Sequence, residues 1–338
     1  MTSPHLFHQP LLSTKATGTP RRLIVTGGDS AYFPMISELV ASIRALPNWR
    51  ATDLACVDGG LKPAERQRLA NVGVQVRAPQ QLPLPPQARK ALAKRPNLAI
   101  GLSKLWLDQL FPNHDTILWL DGDAWVQDGQ ALADLFTAAE AVVTGAGPQA
   151  APTHAMASVP ELFTHKPFRL RWLGWGFAQV RSILYKNSAV ARLPWKVRHQ
   201  AGQRPTLNGG LFALARQAPH WAVLRQWQKT ILARKGNVFS SDQLAIGLTA
   251  YVSGLPMHYL PVSCNYMGPW FMRSQPGGGP VICEHYWPHK PAGIIHMAGL
   301  EAMRRPEGGL VTAFDAESGA PLQTSLRFSA LHPDVPLP

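Results

Sequence analysis

Short apolar runs alternate along this chain with segments whose apolar residues recur at helical spacing. The runs predict strands at 22–26, 53–57, 72–76, 116–120 and 141–144, and the spaced segments predict helices at 34–46, 63–70, 103–111 and 130–136. Strands that alternate with helices favour a parallel sheet joined by right-handed crossovers. We therefore expect an α/β fold with a mostly parallel sheet flanked by helices.

The pattern divides the 338 residues into a main domain with two atypical ends. Residues 1–20 are polar and contain proline, without the apolar core of a signal peptide, and are predicted to be a disordered lead-in. Residues 21–310 are predicted to form the main domain, with further strands at 210–214, 257–260 and 294–296 and helices at 220–232 and 242–251. Residues 311–338 are predicted to form a C-terminal hairpin and tail.

Two internal segments lack the alternation. Residues 78–97 hold five prolines without a clear period and predict a loop. Residues 145–205 are rich in Trp, Arg, Lys, His and Pro, with one predicted helix near 178–191. We interpret this second segment as an insertion over the mouth of the sheet.

Composition narrows the class of partner. The net charge of +13 should attract anions such as nucleotide diphosphates, nucleic acid or acidic lipid head groups. Nucleic acid is disfavoured because no dense Lys/Arg run or recognition motif accompanies the charge. The three cysteines form no Cys-x-x-Cys pair, which fits a reducing compartment. No apolar stretch reaches the ~18 residues of a membrane span.

Asp121-Gly122-Asp123 directly follows the apolar run TILWL at 116–120. Side chains two apart on an extended segment point the same way, so both carboxylates are expected at the carboxyl end of a parallel strand. Two adjacent carboxylates repel unless a cation lies with them, and Mg²⁺ or Mn²⁺ accepts such ligands together with substrate phosphates. Gly122 lets the backbone approach a ligand closely. The alternative is a turn with two solvated aspartates, but the preceding buried strand favours a metal site.

Three residues near the first predicted strand are candidates for nucleotide binding. Thr26 and Asp29 lie at its end, where a carboxylate can accept from a base N–H or a ribose hydroxyl. Tyr32 can stack on a base. The alternative is that Asp29 or Ser30 caps the following helix.

Four polar residues follow later in the chain. Asn208, beside Gly209 and Gly210, can hold sugar hydroxyls, or else form a simple Asn-Gly turn. Asp242 and Gln243 begin a predicted helix, where a cap is the alternative. His296 ends a late strand; an imidazole beside two carboxylates shifts the preference from Mg²⁺ toward Mn²⁺, while a core histidine is the alternative.

The order of these motifs along the chain resembles the order found in a known protein family. The run GLSKLWLDQLFPNHDTILWLDGDAWV at 101–126 resembles the metal-site segment of glycosyltransferase family 8, the glycogenin and bacterial lipopolysaccharide galactosyltransferase group. Over residues 22–300 the chain also has TGGDSAY, Lys104, LNGG, SDQ, LPVSCN and IIHMAG, in the order of that family's motifs. The segment around the two aspartates is specific, and the ordered combination strengthens the weaker motifs.

The resemblance implies a GT-A fold, a UDP-sugar donor, Mn²⁺ (or Mg²⁺) and retention of anomeric configuration. It implies that Asp121, Asp123 and His296 bind the metal, with Gly122 at the donor. It further implies that Thr26, Asp29, Tyr32 and Lys104 bind the nucleotide sugar, and that Asn208, Asp242 and Gln243 surround the transferred sugar. The sequence departs from the family after the late histidine, where LEAMRRP replaces a segment with a diphosphate-binding lysine. Arg304 or Arg305 is the replacement that the sequence offers, although an arginine fork differs from a lysine point charge.

The resulting hypothesis is a metal-dependent hexosyltransferase. Residues 165–204 carry nine Lys and Arg residues, three interleaved tryptophans and no Asp or Glu, which predicts a glycan or lipid-linked acceptor of anionic character. A solvated loop is the alternative. The same composition suits a cytoplasmic protein in peripheral contact with the inner face of a membrane. Two other functions stay open, namely a nucleotidyltransferase of related fold and a carbohydrate-binding protein that has lost turnover.

Overall fold

The fold is described from a computed structural model of the whole chain. The structure describes residues 20–144, 152–161, 171–173, 177–179, 183–274, 279–305 and 308–338. The predicted lead-in at residues 1–20 lies outside the described residues, apart from Pro20.

The described residues form strands and helices in close alternation over the first half of the chain. The strands are β1 Arg22–Gly28, β2 Asp53–Asp58, β3 Val74–Arg77, β4 Thr116–Leu120, β5 Ala124–Val126, β6 Val142–Thr144, β7 Pro152–His154, β8 Met156–Pro160, β9 Arg171–Leu173, β10 Phe177–Gln179, β11 Leu207–Ala215, β12 Met257–Tyr259, β13 Phe271–Arg273, β14 Val281–Cys283, β15 Ile294–His296, β16 Val311–Asp315 and β17 Pro321–Thr324. The helices are α1 Phe33–Ala45, α2 Pro63–Asn71, α3 Pro86–Lys94, α4 Leu98–Ser103, α5 Leu107–Leu110, α6 Gly129–Glu140, α7 Ile183–Val190, α8 Trp195–Gly202, α9 His220–Ala233, α10 Ser241–Tyr251 and α11 Phe328–Leu331. Short 3₁₀ helices lie at Pro47–Trp49, Lys104–Trp106, Val238–Ser240, Val262–Asn265 and Glu301–Arg304.

A seven-stranded sheet in the order β12-β8-β11-β4-β1-β2-β3 forms the centre of the molecule. Strands β3, β2, β1 and β4 are mutually parallel, whereas β11 runs antiparallel to both β4 and β8. Every residue of β4 is buried, as expected for a central strand covered on both faces. The predicted α/β class with a mainly parallel sheet is confirmed.

Helices cover both faces of this sheet because successive side chains of a strand point to opposite sides. Leu23 and Val25 of β1 pack into one apolar cluster, with α9 and α10, while Ile24 packs into the other, with α1 and α6. Both faces of the sheet are therefore covered by apolar side chains. Polar side chains lie at the ends of the strands.

The loop predicted at 78–97 is wrong in part, because α3 occupies Pro86–Lys94. Proline is tolerated in the first turn of a helix, where its missing N–H has no partner to lose. Pro86 takes that position, and Ala88 packs with Leu102, Leu232 and Val238 in a small apolar cluster. The prolines thus start this helix instead of preventing it.

Two other predictions need correction. The helix predicted at 103–111 is divided into the end of α4, a 3₁₀ turn at Lys104–Trp106 and α5. The segment 145–205 is not wholly an insertion, because β8 joins the central sheet between β11 and β12. It also contains a second helix, α8, and the first two residues of the helix predicted there, 178 and 179, belong to β10. The hydrophobic pattern of residues 145–205 did not predict that β8 joins the sheet, because the position of β8 is fixed by pairing with distant strands.

The C-terminal residues pack against the main domain. The predicted hairpin forms as β16 and β17, and β16 extends a second sheet through β13. Arg327 then lies buried with its Nε 2.7 Å from Oε2 of Glu38 in α1. Because removing one partner of a buried ion pair typically costs about 3–5 kcal/mol, this pair holds the end of the chain to α1. Among the described residues, every helix is too short or too polar to span a lipid bilayer.

Candidate active site

A cavity of about 540 Å³ opens at the carboxyl ends of β1 and β4, beside the start of β11 and the end of β15. Parallel strands end at the same edge of a sheet, so their terminal residues converge there. The cavity is lined by most of the residues predicted from the sequence: Asp29, Tyr32, Lys104, Asp121, Gly122, Asp123, Asn208, Asp242, Gln243, His296 and Arg304.

Asp121, Asp123 and His296 come together on one side of the cavity. One potential ligand atom from each residue lies within 4.8 Å of those of the other two. The two aspartates converge through a turn in which the Ala124 N–H donates to the Asp121 carbonyl, at 3.1 Å. The expectation that an extended segment aligns them is therefore wrong, although their convergence is confirmed. Antiparallel pairing of β5 with β15 places His296 opposite Ala124.

His296 is held by a neighbour that the sequence prediction left without a role. Its Nδ1 lies 2.9 Å from Oδ1 of Asn265, and its Nε2 lies 3.3 Å from Oδ1 of Asp123. If Nδ1 donates its proton to Asn265, the lone pair of Nε2 points toward the aspartates. Such an orienting hydrogen bond is typical of histidines that bind metals. Burial tends to lower the pKa of His296, but Asp123 outweighs it and the pKa is raised.

The charge of the aspartates is balanced in part by Lys104, which is buried. Its Nζ lies 2.7 Å from Oδ1 of Asp121 and 3.2 Å from Oδ2 of Asp242. It also donates to the Gly209 carbonyl and lies 4.9 Å from the centroid of the Trp119 ring. Burial alone would lower the pKa of Lys104, but the two carboxylates raise it above its ordinary value. Lys104 is therefore a fixed cation between the candidate metal ligands and the residues of α10.

Gly210 gives the candidate metal ligands their space. A Cβ at this position would lie 2.5 Å from Cε1 of His296 and 2.6 Å from Oδ2 of Asp121. Real Cβ atoms do not approach other atoms this closely, so any larger residue would displace one of the two side chains. Gly210 of LNGG thus has a steric role at this site, which goes beyond a simple Asn-Gly turn.

Asn208 and Gln243 are joined by a carboxylate that sequence reasoning missed. Oε1 of the buried Glu161 accepts hydrogen bonds from Nδ2 of Asn208, at 2.6 Å, and from Nε2 of Gln243, at 3.1 Å. Oδ1 of Asn208 in turn accepts from the Gly210 N–H, at 2.7 Å. Each amide is therefore fixed in one orientation. The available signal was that Glu161 directly follows the mostly apolar run MASVP at 156–160.

Of the residues near β1 that were predicted to bind the nucleotide, Asp29 and Tyr32 line the cavity and Thr26 does not. Oδ1 of Asp29 accepts from the N–H groups of Ala31 and Tyr32, and its Oδ2 accepts from Nδ2 of Asn97. The suggested helix cap by Asp29 or Ser30 is wrong, because α1 begins after Tyr32 without a side-chain cap. Thr26 is buried, and it is not among the described residues that line the cavity.

Of the two arginines offered as replacements for the family lysine, Arg304 reaches the cavity. Its guanidinium lies 4.8 Å from the centroid of the Tyr32 ring and 3.9 Å from Oδ2 of Asp123. Arg305 is exposed, and among the described residues it is not part of the cavity lining. Arg327 donates to the carbonyls of Met303 and Arg305, on either side of Arg304. The C-terminal segment therefore fixes the backbone that carries this arginine.

Two further residues at the rim were not predicted from the sequence. Arg95 and Phe239 both line the cavity, the first just after α3 and the second in the 3₁₀ turn before α10. Part of the predicted acceptor surface cannot be placed: Lys166, Arg169, Trp175 and Arg181 lie outside the described residues, and only the backbone of Arg171 and Trp172 is described. The remaining members are Lys186, Arg192, Trp195, Lys196, Arg198 and Arg204. Trp195 is 69% exposed on α8.

Comparison with known proteins gives structural likeness at low sequence identity. No protein-family model matches the sequence, and the curated proteins compared give no match. Galactosyltransferase LgtC, in complex with donor and acceptor sugar analogues, is 14% identical, with 82% of this chain and 87% of LgtC covered and a TM-score of 0.45.

Two further solved structures show a similar level of likeness. The bifunctional glycosyltransferase WbbM is 14% identical over 85% of this chain, with a TM-score of 0.44, and the match spans about half of WbbM, 47%. Mannosyltransferase PcManGT from Pyrobaculum calidifontis, in complex with GDP-Man and Mn²⁺, is 14% identical over 75% of this chain and 59% of its own length, with a TM-score of 0.35. Because these TM-scores are below 0.5, the fold is assigned from the strand order described above.

Proposed function

We propose that this protein is a metal-dependent glycosyltransferase with a GT-A-like fold, which transfers a hexose from a UDP-sugar to a glycan or lipid-linked acceptor. One observation carries the proposal. The group Asp121, Asp123 and His296 shares a single cavity with the amide pair Asn208 and Gln243. A cation site beside polar groups that can hold sugar hydroxyls fits a nucleotide-sugar donor, whose diphosphate and sugar adjoin each other.

The residues present fit a divalent cation. Two carboxylates and one imidazole offer oxygen and nitrogen donors within a small volume, and Gly210 keeps that volume clear. Asn265 orients the imidazole so that Nε2 faces the aspartates. This mixed set suits Mn²⁺ better than Mg²⁺, which prefers oxygen ligands. When bound, the cation would stabilise the negative charge of the leaving diphosphate as a Lewis acid.

The residues of α10 and β11 would hold the transferred sugar. Lys104 is bonded to Asp242, so this carboxylate is fixed at the cavity wall, and the amides of Asn208 and Gln243 are fixed by Glu161. By the family resemblance, Gln243 would stand where a retaining double displacement needs a nucleophile, and an amide is a poor one. We therefore propose retention through attack of the acceptor hydroxyl on the face that the leaving diphosphate departs from.

The far side of the cavity would bind the nucleoside diphosphate. Asp29, with Asn97, offers hydrogen-bonding groups, and Tyr32 offers an aromatic ring. Arg304 lies next to Tyr32 and Asp123, where its guanidinium can bind phosphate oxygens in place of the family lysine. If this assignment holds, UDP binds more tightly than GDP or ADP in a calorimetric titration. A preference for purine nucleotides would refute the base pocket and leave the metal site standing.

We further propose that the protein works at the cytoplasmic face of a membrane as a peripheral protein. Exposed Trp195 contacts His199 in α8, beside Lys196, and exposed Tyr185 of α7 contacts the same histidine. Basic residues with interfacial aromatics suit an anionic leaflet, at about 1 kcal/mol per charge near the surface. Co-sedimentation with anionic vesicles across a salt series tests this. No binding at low salt would remove the membrane from the proposal.

The decisive experiment measures the products released from a panel of nucleotide sugars with Mn²⁺. Slow release of UDP and free hexose, abolished by EDTA, is expected even without an acceptor. Release of pyrophosphate from a sugar phosphate and a nucleoside triphosphate would instead identify a nucleotidyltransferase. Binding of a nucleotide sugar, seen as a thermal shift, with no turnover would identify a binding protein.

A further inference from the structure

The positive charge of this chain is concentrated in two segments that contain no acidic residue. Residues 66–107 carry eight Lys and Arg residues, and residues 162–241 carry fourteen, with no Asp or Glu in either. Together they hold 22 of the 33 Lys and Arg residues but none of the 20 Asp and Glu residues. The rest of the chain is therefore net acidic, so the charge is a local feature.

The fold brings these two segments into contact beside the cavity. Ala88 and Leu102 from the first segment pack with Leu232 and Val238 from the second in one apolar cluster. The cluster joins α3 and α4 to the end of α9 and the 3₁₀ turn at Val238–Ser240. One rim of the cavity is thus built from the two acid-free parts of the sequence.

Arg95 and Phe239 meet on this rim. The guanidinium carbon of Arg95 lies 5.8 Å from the centroid of the Phe239 ring, and both residues line the cavity. Phe239 is 67% exposed, which is unusual for a phenylalanine and leaves one face of the ring open to a ligand. An arginine that lies over an aromatic ring is partly ordered before any ligand binds.

Phe239 lies on the sugar side of the cavity, with Arg95 beside it. Phe239 precedes Asp242 and Gln243 by only three and four residues, and the 3₁₀ turn runs directly into α10. Inside the cavity the cations Lys104 and Arg304 lie beside aspartates. Arg95 at the rim forms no ion pair with any described residue, so its charge is available to an anionic acceptor group.

We propose that Arg95 and Phe239 form an acceptor subsite for a sugar that carries a negative charge, as a phosphate or a carboxylate. The sugar ring would pack on the open face of Phe239, and the anionic group would accept hydrogen bonds from the guanidinium fork of Arg95. The subsite rests on the proposed glycosyl transfer and specifies its acceptor. It also places the acceptor's charge at residues that the structure describes, next to the proposed sugar-binding residues.

The test compares matched acceptors that differ in charge. Methyl β-D-glucopyranoside, its glucuronide and its 6-phosphate are each added to enzyme, Mn²⁺ and the donor found in the panel above, and UDP release is measured. KM for a charged acceptor should be about tenfold or more below KM for the neutral one, as expected for hydrogen bonds to a charged group. Whichever of the two charged acceptors is favoured identifies the anionic group.

Variants assign the effect to the rim. In Arg95→Gln, KM for the charged acceptor should become equal to KM for the neutral one. Arg77→Gln, which removes an exposed charge at the end of β3, should keep the wild-type difference between the two KM values. Phe239→Ala should raise KM for charged and neutral acceptors alike, and Phe239→Tyr should restore it. Equal KM values in the wild type, or an unchanged ratio in Arg95→Gln, would overturn the subsite. Weaker UDP binding in Arg95→Gln with an unchanged ratio would place this arginine at the donor instead.

A binding measurement separates this proposal from the proposed function. Saturation-transfer NMR reports binding of the neutral and charged glycosides without turnover. Preference for the charged glycoside that is lost in Arg95→Gln supports the subsite even if no nucleotide sugar is hydrolysed, in which case only the glycosyl-transfer proposal fails. UDP release without any preference for charge in either measurement refutes the subsite and leaves the glycosyl-transfer proposal standing.

Discussion

His296 meets Asp123 across the pairing of β5 with β15, with its Nε2 3.3 Å from the carboxylate Oδ1. The two residues are far apart in the chain, and both are buried. Burial alone would raise the pKa of Asp123, but the hydrogen bond with His296 and the charge of Arg304 lower it below its ordinary value. A divalent cation would displace the proton that His296 shares with Asp123, and would take the carboxylate and the neutral imidazole as ligands.

Asp123→Asn is expected to abolish transfer without unfolding the protein. The amide keeps the shape of the side chain but loses the negative charge that the cation would need. Activity measured with Mn²⁺ should fall to the EDTA background, while the melting temperature without metal stays close to the wild-type value. Full turnover of the wild-type enzyme in excess EDTA would contradict the metal site altogether.

Asn265→Ala should weaken Mn²⁺ binding by roughly 10–100-fold, as is typical for the loss of a residue that orients a metal ligand. Its Oδ1 is 2.9 Å from Nδ1 of His296, so its loss frees the imidazole to rotate. Asn265→Asp keeps an acceptor at the same place and should retain most of the affinity. Titration of Mn²⁺ by electron paramagnetic resonance gives the comparison, and equal affinity in all three proteins would mean that Asn265 has no such role.

Gly210→Ala should remove metal binding with little change in the backbone. The φ of Gly210 is not in the left-handed region, so the obstacle to alanine is the clash of the new Cβ with His296, Asp121 and Asn208. Displacement of His296 or Asp121 breaks the ligand group. Gly254→Ala would be a poor control because the φ of Gly254 is +69°. The control is Ala213→Gly, which perturbs β11, the strand that contains Gly210, without adding a side-chain atom. Normal Mn²⁺ affinity in Gly210→Ala would show that the ligands lie elsewhere.

Glu161→Ala should lower kcat by about 100-fold, the effect expected when groups that position a substrate move by about 1 Å. The loss frees the amides of Asn208 and Gln243, which both donate to Oε1 of Glu161. Because these amides face the proposed sugar subsite, UDP affinity should change little. Glu161→Gln retains an acceptor oxygen and should recover part of kcat. A loss of UDP affinity that matches the loss of kcat would point to a general structural role.

Stability should fall between pH 6.5 and pH 4 through His220. Burial lowers its pKa from 6.5 to about 4, and Nε2 lies 2.8 Å from the Pro256 carbonyl. In that window the unfolded chain binds a proton that the folded protein excludes, so the free energy of unfolding decreases as the pH falls, by up to about 3 kcal/mol. Above pH 6.5 the His220 side chain is neutral in both the folded and the unfolded protein, so it no longer changes the free energy of unfolding with pH.

Urea unfolding at pH 7 and pH 4.5 measures this term. His220→Gln can still donate to Pro256 and should show a smaller loss of stability over this interval than the wild type does. His199→Gln, at an exposed position of α8, should lose as much as the wild type. Equal losses in all three proteins would assign the pH dependence to other groups.

The sequence alone was sufficient to predict most strands and helices, and the polar residues that directly follow the strands. Because β4 is apolar at every position after Thr116, the sequence favours a buried strand with Asp121 at its end. The alternation of strands and helices gave the α/β class. The order of the motifs gave the set of polar residues that the fold gathers in one cavity, with Thr26 as the exception.

Contacts between distant residues decided the rest. The antiparallel β11, the entry of β8 into the sheet and the helix α3 depend on pairing and packing partners that lie far away in the chain. The same holds for Glu161 between two amides, for Arg304 over Tyr32 and for Arg95 over Phe239. Periodicity reports which face of an element is buried, but it does not report what that face packs against. For this protein the sequence therefore determined which groups are present at the strand ends, and only the tertiary structure decided which of them touch, because distances between segments are set by register and packing.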